Sequence, residues 1–192
     1  MRLKTPRIPA LTDEEMTPEQ REVLYKDNPK RVINIFRTLG HHPALLRRWN
    51  PFGSHVLFKT TLPARERELI ILRTGVLCRS EYEFAQHTAI GKEAGLTDEE
   101  IERIKAGADA PGWSTLDKTL LRATDELVGD YFITDETWAA LSAHYSRQQI
   151  MDLVFAVGQY VMVSMALNSF GVQLEDKIEV SFGPTARGDK RN

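Results

Sequence analysis

The chain is poor in cysteine: Cys78 is the only one among its 192 residues. A single cysteine cannot form a disulfide, a Cys-x-x-Cys redox pair or a multi-cysteine zinc cage within one chain. A hydrophobic core must therefore stabilise the fold, and a chain of this length can bury one without covalent or metal cross-links. We predict no cofactor and no bound metal.

The sequence also lacks an excess of charge of either sign. Its 25 Lys and Arg residues nearly balance its 27 Asp and Glu residues, and the formal net charge is −2. The basic residues are scattered among acidic ones, so no basic stripe is available to bind the phosphates of nucleic acid. We therefore expect small molecules or protein surfaces as partners, and no nucleic acid.

Uninterrupted apolar runs of membrane-spanning length are absent. The N-terminus has no apolar core of signal-peptide length, and the most apolar stretch, Leu153 to Phe170, is interrupted by Gln159 and Asn168. The sequence therefore predicts a cytoplasmic protein with no membrane partner.

What the sequence does contain is helical periodicity, while no segment alternates strictly enough to predict a strand. Three capping-box spacings predict helix starts: Ser80-x-x-Glu83, Thr97-x-x-Glu100 and Ser146-x-x-Gln149. The segment from Pro63 to Leu77 is apolar on nearly every side after Glu68, which predicts a buried central helix.

We predict an all-α fold with one compact helical domain over residues 17–178. Prolines in residues 1–16 disfavour regular structure, so this segment is expected to be an extended N-terminal arm. The glycine-, proline- and charge-rich residues 179–192 are expected to form a mobile tail.

The candidate catalytic residues are Glu68, Glu83 and His87, which interrupt apolar helical faces. Glu83 and His87 are four residues apart, so a helix stacks them on one face, and Ile90 continues that face. A neighbouring carboxylate raises the pKa of an imidazole and burial lowers it, so His87 could titrate near neutrality, as acid–base catalysis requires. Glu83 could instead only close a capping box with Ser80.

Arg73 and His55 are the candidate substrate-binding residues. Arg73 lies within an apolar helix and needs an acidic partner, for which Glu68 and Glu83 are the candidates, or it could bind a substrate carboxylate in bidentate fashion. His55 lies among apolar residues and is a secondary candidate. Ligands as far apart as His55, Glu83 and His87 give no metal-site spacing, so they do not change the prediction of no metal.

The stretch from Arg65 to Glu102, RERELIILRTGVLCRSEYEFAQHTAIGKEAGLTDEEIE, resembles the carboxymuconolactone decarboxylase family, which also contains the alkylhydroperoxidase D (AhpD)-like proteins. In the thiol-dependent branch a Glu precedes a Cys-x-x-Cys-x-x-x-His motif. Glu68 matches that Glu, Ser80 and Glu83 occupy the two cysteine positions, and His87 matches the His. The chain therefore resembles the decarboxylase-type branch, which lacks the cysteine pair.

The resemblance implies a cofactor-free lyase of decarboxylase type that acts on a small unsaturated carboxylated lactone or a related acid of aromatic catabolism. It also implies a homo-oligomer, a trimer or a multiple of three. Two alternatives stay open: a thiol-dependent hydroperoxide reductase that uses Cys78, and a ligand-binding oligomer without catalytic activity.

Overall fold

A computed structural model of the chain describes residues 1–26, 32–176 and 178. Within these residues the fold is all-α and contains no strand, as predicted. The helices are α1 (Pro18–Tyr25), α2 (Asn34–Leu39), α3 (Pro43–Ser54), α4 (Ala64–Leu77), α5 (Glu81–Glu93), α6 (Asp98–Ala106), α7 (Thr115–Asp130), α8 (Asp135–Ser142) and α9 (Arg147–Phe170). A π-helical turn, His55–Lys59, continues α3.

The centre of the fold is α4, which packs against α5, α6, α7 and α9. Its residues from Glu68 to Gly75 are all buried, which agrees with the prediction of a buried central helix. Gly91 lets α5 approach α4 closely, because a β-carbon at this position would lie 3.3 Å from Cδ1 of Leu72. This close approach brings the side chains of α4 around Glu68 into direct contact with side chains of α5.

The longest helix, α9, combines a buried face with an exposed apolar one. Its length and composition would suit a membrane span, but half of its apolar stretch is buried inside the fold. It packs against α4, α5, α7 and α8, so it serves here as a core helix. Met151, Phe155, Met162 and Met165 remain on its exposed side.

The N-terminal segment is tied to the helical domain. The backbone N–H groups of Arg7 and Ile8 both donate to the carbonyl oxygen of Phe170 at the end of α9, at 2.8 and 3.1 Å. Leu11 and Met16 are buried in a cluster with Leu24 and Leu46. The predicted mobile tail, residues 179–192, lies outside the described residues.

Two of the three predicted capping boxes are confirmed, those that begin at Thr97 and Ser146. The third is wrong: Ser80 precedes α5 but makes no side-chain capping bond. The backbone N–H of Ser80 donates instead to the carbonyl oxygen of Gly75 at 2.9 Å, and the Glu83 carboxylate binds His87, one turn further along α5. The Ser80 hydroxyl is buried without a hydrogen-bond partner.

The presence of a cap at Ser146 and its absence at Ser80 predict different effects for two Ser→Ala substitutions. Ser146→Ala should lower the free energy of unfolding by about 1 kcal/mol, because the N-cap bond of α9 is lost. Ser80→Ala should leave it unchanged or raise it, because it removes a buried hydroxyl that has no partner. Urea unfolding of both variants measures the difference, and an equal loss in both would show that Ser80 does cap α5.

Candidate active site

Glu68, Glu83 and His87 come together in the structure. Nδ1 of His87 lies 2.6 Å from a carboxylate oxygen of Glu68, and Nε2 lies 3.0 Å from a carboxylate oxygen of Glu83. Nε of Arg67 donates to the other oxygen of Glu68 at 3.0 Å. All three predicted residues are at least nine-tenths buried. The result is a chain of alternating charges, Arg67–Glu68–His87–Glu83.

The two carboxylates keep His87 protonated at neutral pH. Burial disfavours the charged imidazolium, but attraction to Glu83 and hydrogen bonds to Glu68 and Glu83 outweigh burial and raise the pKa of His87 from 6.5 to about 9. Both ring N–H groups are then donated to carboxylates. His87 therefore has no free N–H of its own to offer a substrate, and a proton that leaves Nε2 passes through Glu83.

A cavity of about 360 Å³ opens onto Glu83 and His87. This volume lies within the usual range of small-molecule sites. Most of its wall is apolar and comes from α1, α2, α3, the π-helical turn, α5, α9 and the segment before α2: Val23, Leu24, Val32, Ile33, Ile35, Phe36, Trp49, Leu57, Phe58, Ile90 and Val163. Among the described lining residues, Glu83 and His87 alone carry charge.

Two neighbouring residues of α9 add uncharged polar groups to this wall. The ring of Tyr160 packs edge-on against the imidazole of His87, with 4.9 Å between ring centroids. Burial and the charge of Glu83 hold the pKa of Tyr160 well above its ordinary value, so the phenol is neutral. Gln159 is buried beside it, and its side-chain oxygen has no hydrogen-bond partner.

Arg73 does not belong to this site, so its predicted role as a substrate anchor is wrong. Nε of Arg73 donates to Asp125 of α7 at 2.6 Å, and Nη1 donates to the carbonyl oxygens of Ile104 and Lys105 at the end of α6. Its acidic partner is therefore neither Glu68 nor Glu83. The guanidinium links α4 to α6 and α7, which leaves it structural.

His55 and Cys78 also lie apart from the cavity wall. His55 is half-exposed, and its Nε2 lies 3.7 Å from Asp152. Cys78 follows α4 directly as its C-cap, and burial raises the pKa of its thiol, which opposes formation of the reactive thiolate. Within the described part of the chain, no group of three or more His, Cys, Asp or Glu side chains is arranged to bind a metal ion.

The sequence analysis missed Arg67, Gln159 and Tyr160 as site residues. Arg67 precedes Glu68 directly, and adjacent helical residues do not normally face each other, so spacing gave no signal. Gln159 did give one, because it interrupts the most apolar stretch of the sequence. Tyr160 follows Gln159 in that stretch and reads as an ordinary core aromatic residue.

The chain shares both sequence pattern and fold with known proteins. Residues 43–126 match the model of the Carboxymuconolactone decarboxylase family. No curated protein matches the chain. Among solved structures, an uncharacterized peroxidase-related protein with an alkylhydroperoxidase AhpD core, from Ralstonia eutropha, superimposes with a TM-score of 0.77 at 18% identity, over 90% of this chain and 94% of its own.

Two further structures share the fold at lower identity. An uncharacterized peroxidase-related protein from Silicibacter sp. has a TM-score of 0.76 at 13% identity, over 94% of this chain and 99% of its own. The debrominase Bmp8 was solved as a cysteine-to-alanine variant in complex with 2,3,4-tribromopyrrole. It has a TM-score of 0.73 at 11% identity, over 90% of this chain and 94% of its own. These likenesses show the all-α AhpD-like fold.

The raised pKa of His87 predicts how stability depends on pH. Between pH 6.5, its unperturbed pKa, and about 9, its pKa in the fold, the folded state alone holds the proton. The free energy of unfolding should therefore fall as pH rises through this window, by on the order of 3 kcal/mol in total. Urea unfolding of the wild type and His87→Gln at a series of pH values measures this, and the variant should lose the slope.

His55→Gln is the matched control, because His55 is half-exposed and lies outside the charge chain. It should keep the wild-type pH dependence. A wild-type slope in His87→Gln would contradict the assignment of the buried imidazolium.

Proposed function

Because the chain belongs to the carboxymuconolactone decarboxylase and AhpD-like superfamily, we propose that it is an enzyme that transfers protons between the Glu83–His87 pair and a small organic substrate. The observation that carries this proposal is a buried imidazolium held between two carboxylates at the wall of a cavity. Perturbed acid–base groups that converge on a cavity are typical of catalytic sites.

The reaction we propose is decarboxylation of a small unsaturated acid or lactone. Loss of CO2 breaks a carbon–carbon bond and leaves its electron pair on the substrate, where a conjugated carbonyl group can accept it as an enolate. A proton then adds to the substrate carbon. An apolar wall favours a step in which the bound molecule loses its carboxylate charge.

The geometry supports a proton path through Glu83. The proton on Nε2 of His87 moves to the Glu83 carboxylate 3.0 Å away, and the resulting carboxylic acid donates it to the substrate. Glu68 stays on Nδ1 and holds the imidazole in place, while Arg67 neutralises Glu68. Solvent restores the proton after each turnover.

A second candidate reaction is proton transfer on an uncharged ring without loss of CO2. The cavity wall favours this reaction. None of the described residues of the wall is a lysine or arginine that could pair with a substrate carboxylate, and the negative charge of Glu83 would repel such a carboxylate. The fold of the debrominase Bmp8, which was solved with the uncharged ring 2,3,4-tribromopyrrole, is compatible with such a ligand.

The alternative of a hydroperoxide reductase that uses Cys78 has less support. Cys78 does not line the cavity, and burial opposes ionisation of its thiol. Cys78→Ser should accordingly keep full activity. The ligand-binding alternative shares the cavity with our proposal, and binding without turnover would favour it.

The catalytic proposal predicts a large loss of turnover in Glu83→Gln and His87→Gln. Each variant should lower the rate of CO2 release from 4-carboxymuconolactone or a related unsaturated acid by at least about a hundredfold, because each interrupts the proton path. Release of labelled CO2 measures the decarboxylation. Deuterium incorporation from heavy water into the same compounds detects proton transfer without CO2 loss.

Glu93→Gln is the matched control, since Glu93 lies on the same helix, α5, with its side chain exposed. It should leave turnover unchanged. Wild-type turnover in His87→Gln, with circular dichroism showing an intact fold, would refute the proposed role of the pair.

We also expect the protein to form a homo-oligomer. Four apolar residues of α9, Met151, Phe155, Met162 and Met165, are each 46–61% exposed, and clustered exposed apolar side chains are typical of surfaces that a partner subunit covers. Light scattering at micromolar concentration should give a mass that is a multiple of 21.8 kDa. Phe155→Glu should shift this mass toward the monomer, and a monomeric wild type would contradict the expectation.

A further inference from the structure

Tyr160 carries a hydroxyl group that the described part of the chain leaves without a partner. The residue is 7% exposed, and its hydroxyl neither donates nor accepts a hydrogen bond within the described residues. The hydroxyl of a buried tyrosine normally has a partner, because an unmet hydrogen bond costs free energy. Since Tyr160 lines the cavity, the missing partner points to a bound molecule.

The hydroxyl of Tyr160 is accessible to a molecule in the cavity. Some unpartnered side-chain oxygens of the described chain are sealed from solvent, and the Tyr160 hydroxyl is not among them. The sealed oxygens belong to Thr38, Ser80, Gln159 and Ser164. The cavity that Tyr160 borders also opens onto Glu83 and His87. A ligand in this cavity can therefore contact the hydroxyl and the acid–base pair together.

The ring of Tyr160 places its hydroxyl beside the imidazole. The ring packs edge-on against His87, and both ring N–H groups of His87 are already donated to carboxylates. The other tyrosine of the described wall, Tyr82, is occupied as well, because its hydroxyl donates to Glu175 at 2.7 Å. Tyr160 therefore offers the substrate a free donor directly beside the imidazole.

Decarboxylation requires a group that stabilises negative charge on a substrate oxygen. When the bond to CO2 breaks, its electron pair moves through the conjugated system to the carbonyl oxygen, which becomes an enolate oxygen. None of the described wall residues is a lysine or arginine, so a neutral donor must stabilise this charge. Burial and the charge of Glu83 hold the pKa of Tyr160 well above its ordinary value, so its phenol keeps the proton and can donate a hydrogen bond.

We propose that Tyr160 is a further catalytic residue, which donates a hydrogen bond to the carbonyl oxygen of an unsaturated lactone or acid and stabilises the enolate oxygen that forms there. Glu83 then protonates the substrate carbon, the carbonyl group re-forms, and the proton of Tyr160 stays on its own oxygen. This inference rests on the proposed function, because it places the substrate beside the Glu83–His87 pair. It adds that the carbonyl end of the substrate faces α9.

The lactone γ-crotonolactone and 2,5-dihydrofuran test this proposal, because they are the same unsaturated ring with and without the carbonyl oxygen. Both are uncharged, and NMR titration near neutral pH measures their affinities. The ratio of lactone affinity to dihydrofuran affinity should fall roughly threefold to tenfold in Tyr160→Phe, which corresponds to one neutral hydrogen bond. With any substrate that the wild type decarboxylates, Tyr160→Phe should lower kcat by about a hundredfold, as expected when a donor to a developing oxyanion is lost.

Tyr145→Phe is the matched control, because Tyr145 lies outside the cavity wall and its hydroxyl donates to Glu66 at 2.7 Å. It should keep the wild-type affinity ratio and lower the midpoint of urea unfolding. Tyr160→Phe should do the opposite, because its hydroxyl has no partner in the fold to lose. A fall in the urea midpoint as large as in Tyr145→Phe would show that the Tyr160 hydroxyl bonds within the protein, and would overturn the proposal.

Measuring binding without turnover separates this inference from the proposed function. If Tyr160→Phe lowers the affinity ratio but no compound is turned over, carbonyl recognition by Tyr160 stands and the proposed reaction fails. If turnover depends on His87 but Tyr160→Phe keeps the wild-type ratio or the wild-type kcat, the proposed reaction stands and the catalytic role of Tyr160 is refuted. Failure of γ-crotonolactone to bind the wild type would also refute it.

Discussion

The structure depends on the burial of a charged imidazole between two carboxylates. An isolated buried charge is so costly that it must be paired, and His87 pairs at both ring nitrogens. Glu83 is supplied by the same helix, but Glu68 lies on α4, so α4 and α5 must pack closely enough to bring Nδ1 within 2.6 Å of its carboxylate. Gly91 permits that approach, because any side chain there would press on Leu72 of α4. The close packing of α4 against α5 and the protonation of His87 therefore depend on each other.

Alternating charge makes this arrangement tolerable in a core. Arg67, Glu68, His87 and Glu83 carry two positive and two negative charges, so the group as a whole is neutral. Replacing a buried ionic group by well-packed apolar side chains is often neutral or stabilising, so stability alone gives little reason for four ionised residues at this place. The position of Glu83 and His87 at the wall of a cavity gives a better reason, since a neutral chain of acids and bases can move a proton without creating net charge in the interior.

Local spacing predicted the parts of the site that lie within one helix, and missed those that depend on packing. Four-residue spacing put Glu83 and His87 on one face, and the structure brings them together. The pairing of His87 with Glu68, 19 residues earlier, depends on how two helices cross, which spacing does not encode. Arg73 was misassigned for the same reason, because its partner Asp125 is 52 residues away on α7. The capping pattern at Ser80 failed because it does not show that the Ser80 N–H is already bonded to the carbonyl oxygen of Gly75, near the end of α4.

The division of the site between helices separates chemistry from recognition. The acid–base pair is held by α4 and α5, whereas most of the wall that a substrate meets comes from α1, α2, α3, the π-helical turn and α9. Gln159 makes no hydrogen bond to the pair within the described structure, so changing it alters the wall and leaves the proton path in place. A fold arranged in this way can exchange one substrate for another through substitutions on α3 and α9 while Glu68, Glu83 and His87 stay fixed. The identity of the substrate must accordingly be sought in the wall, since the acid–base pair would serve many reactions equally well.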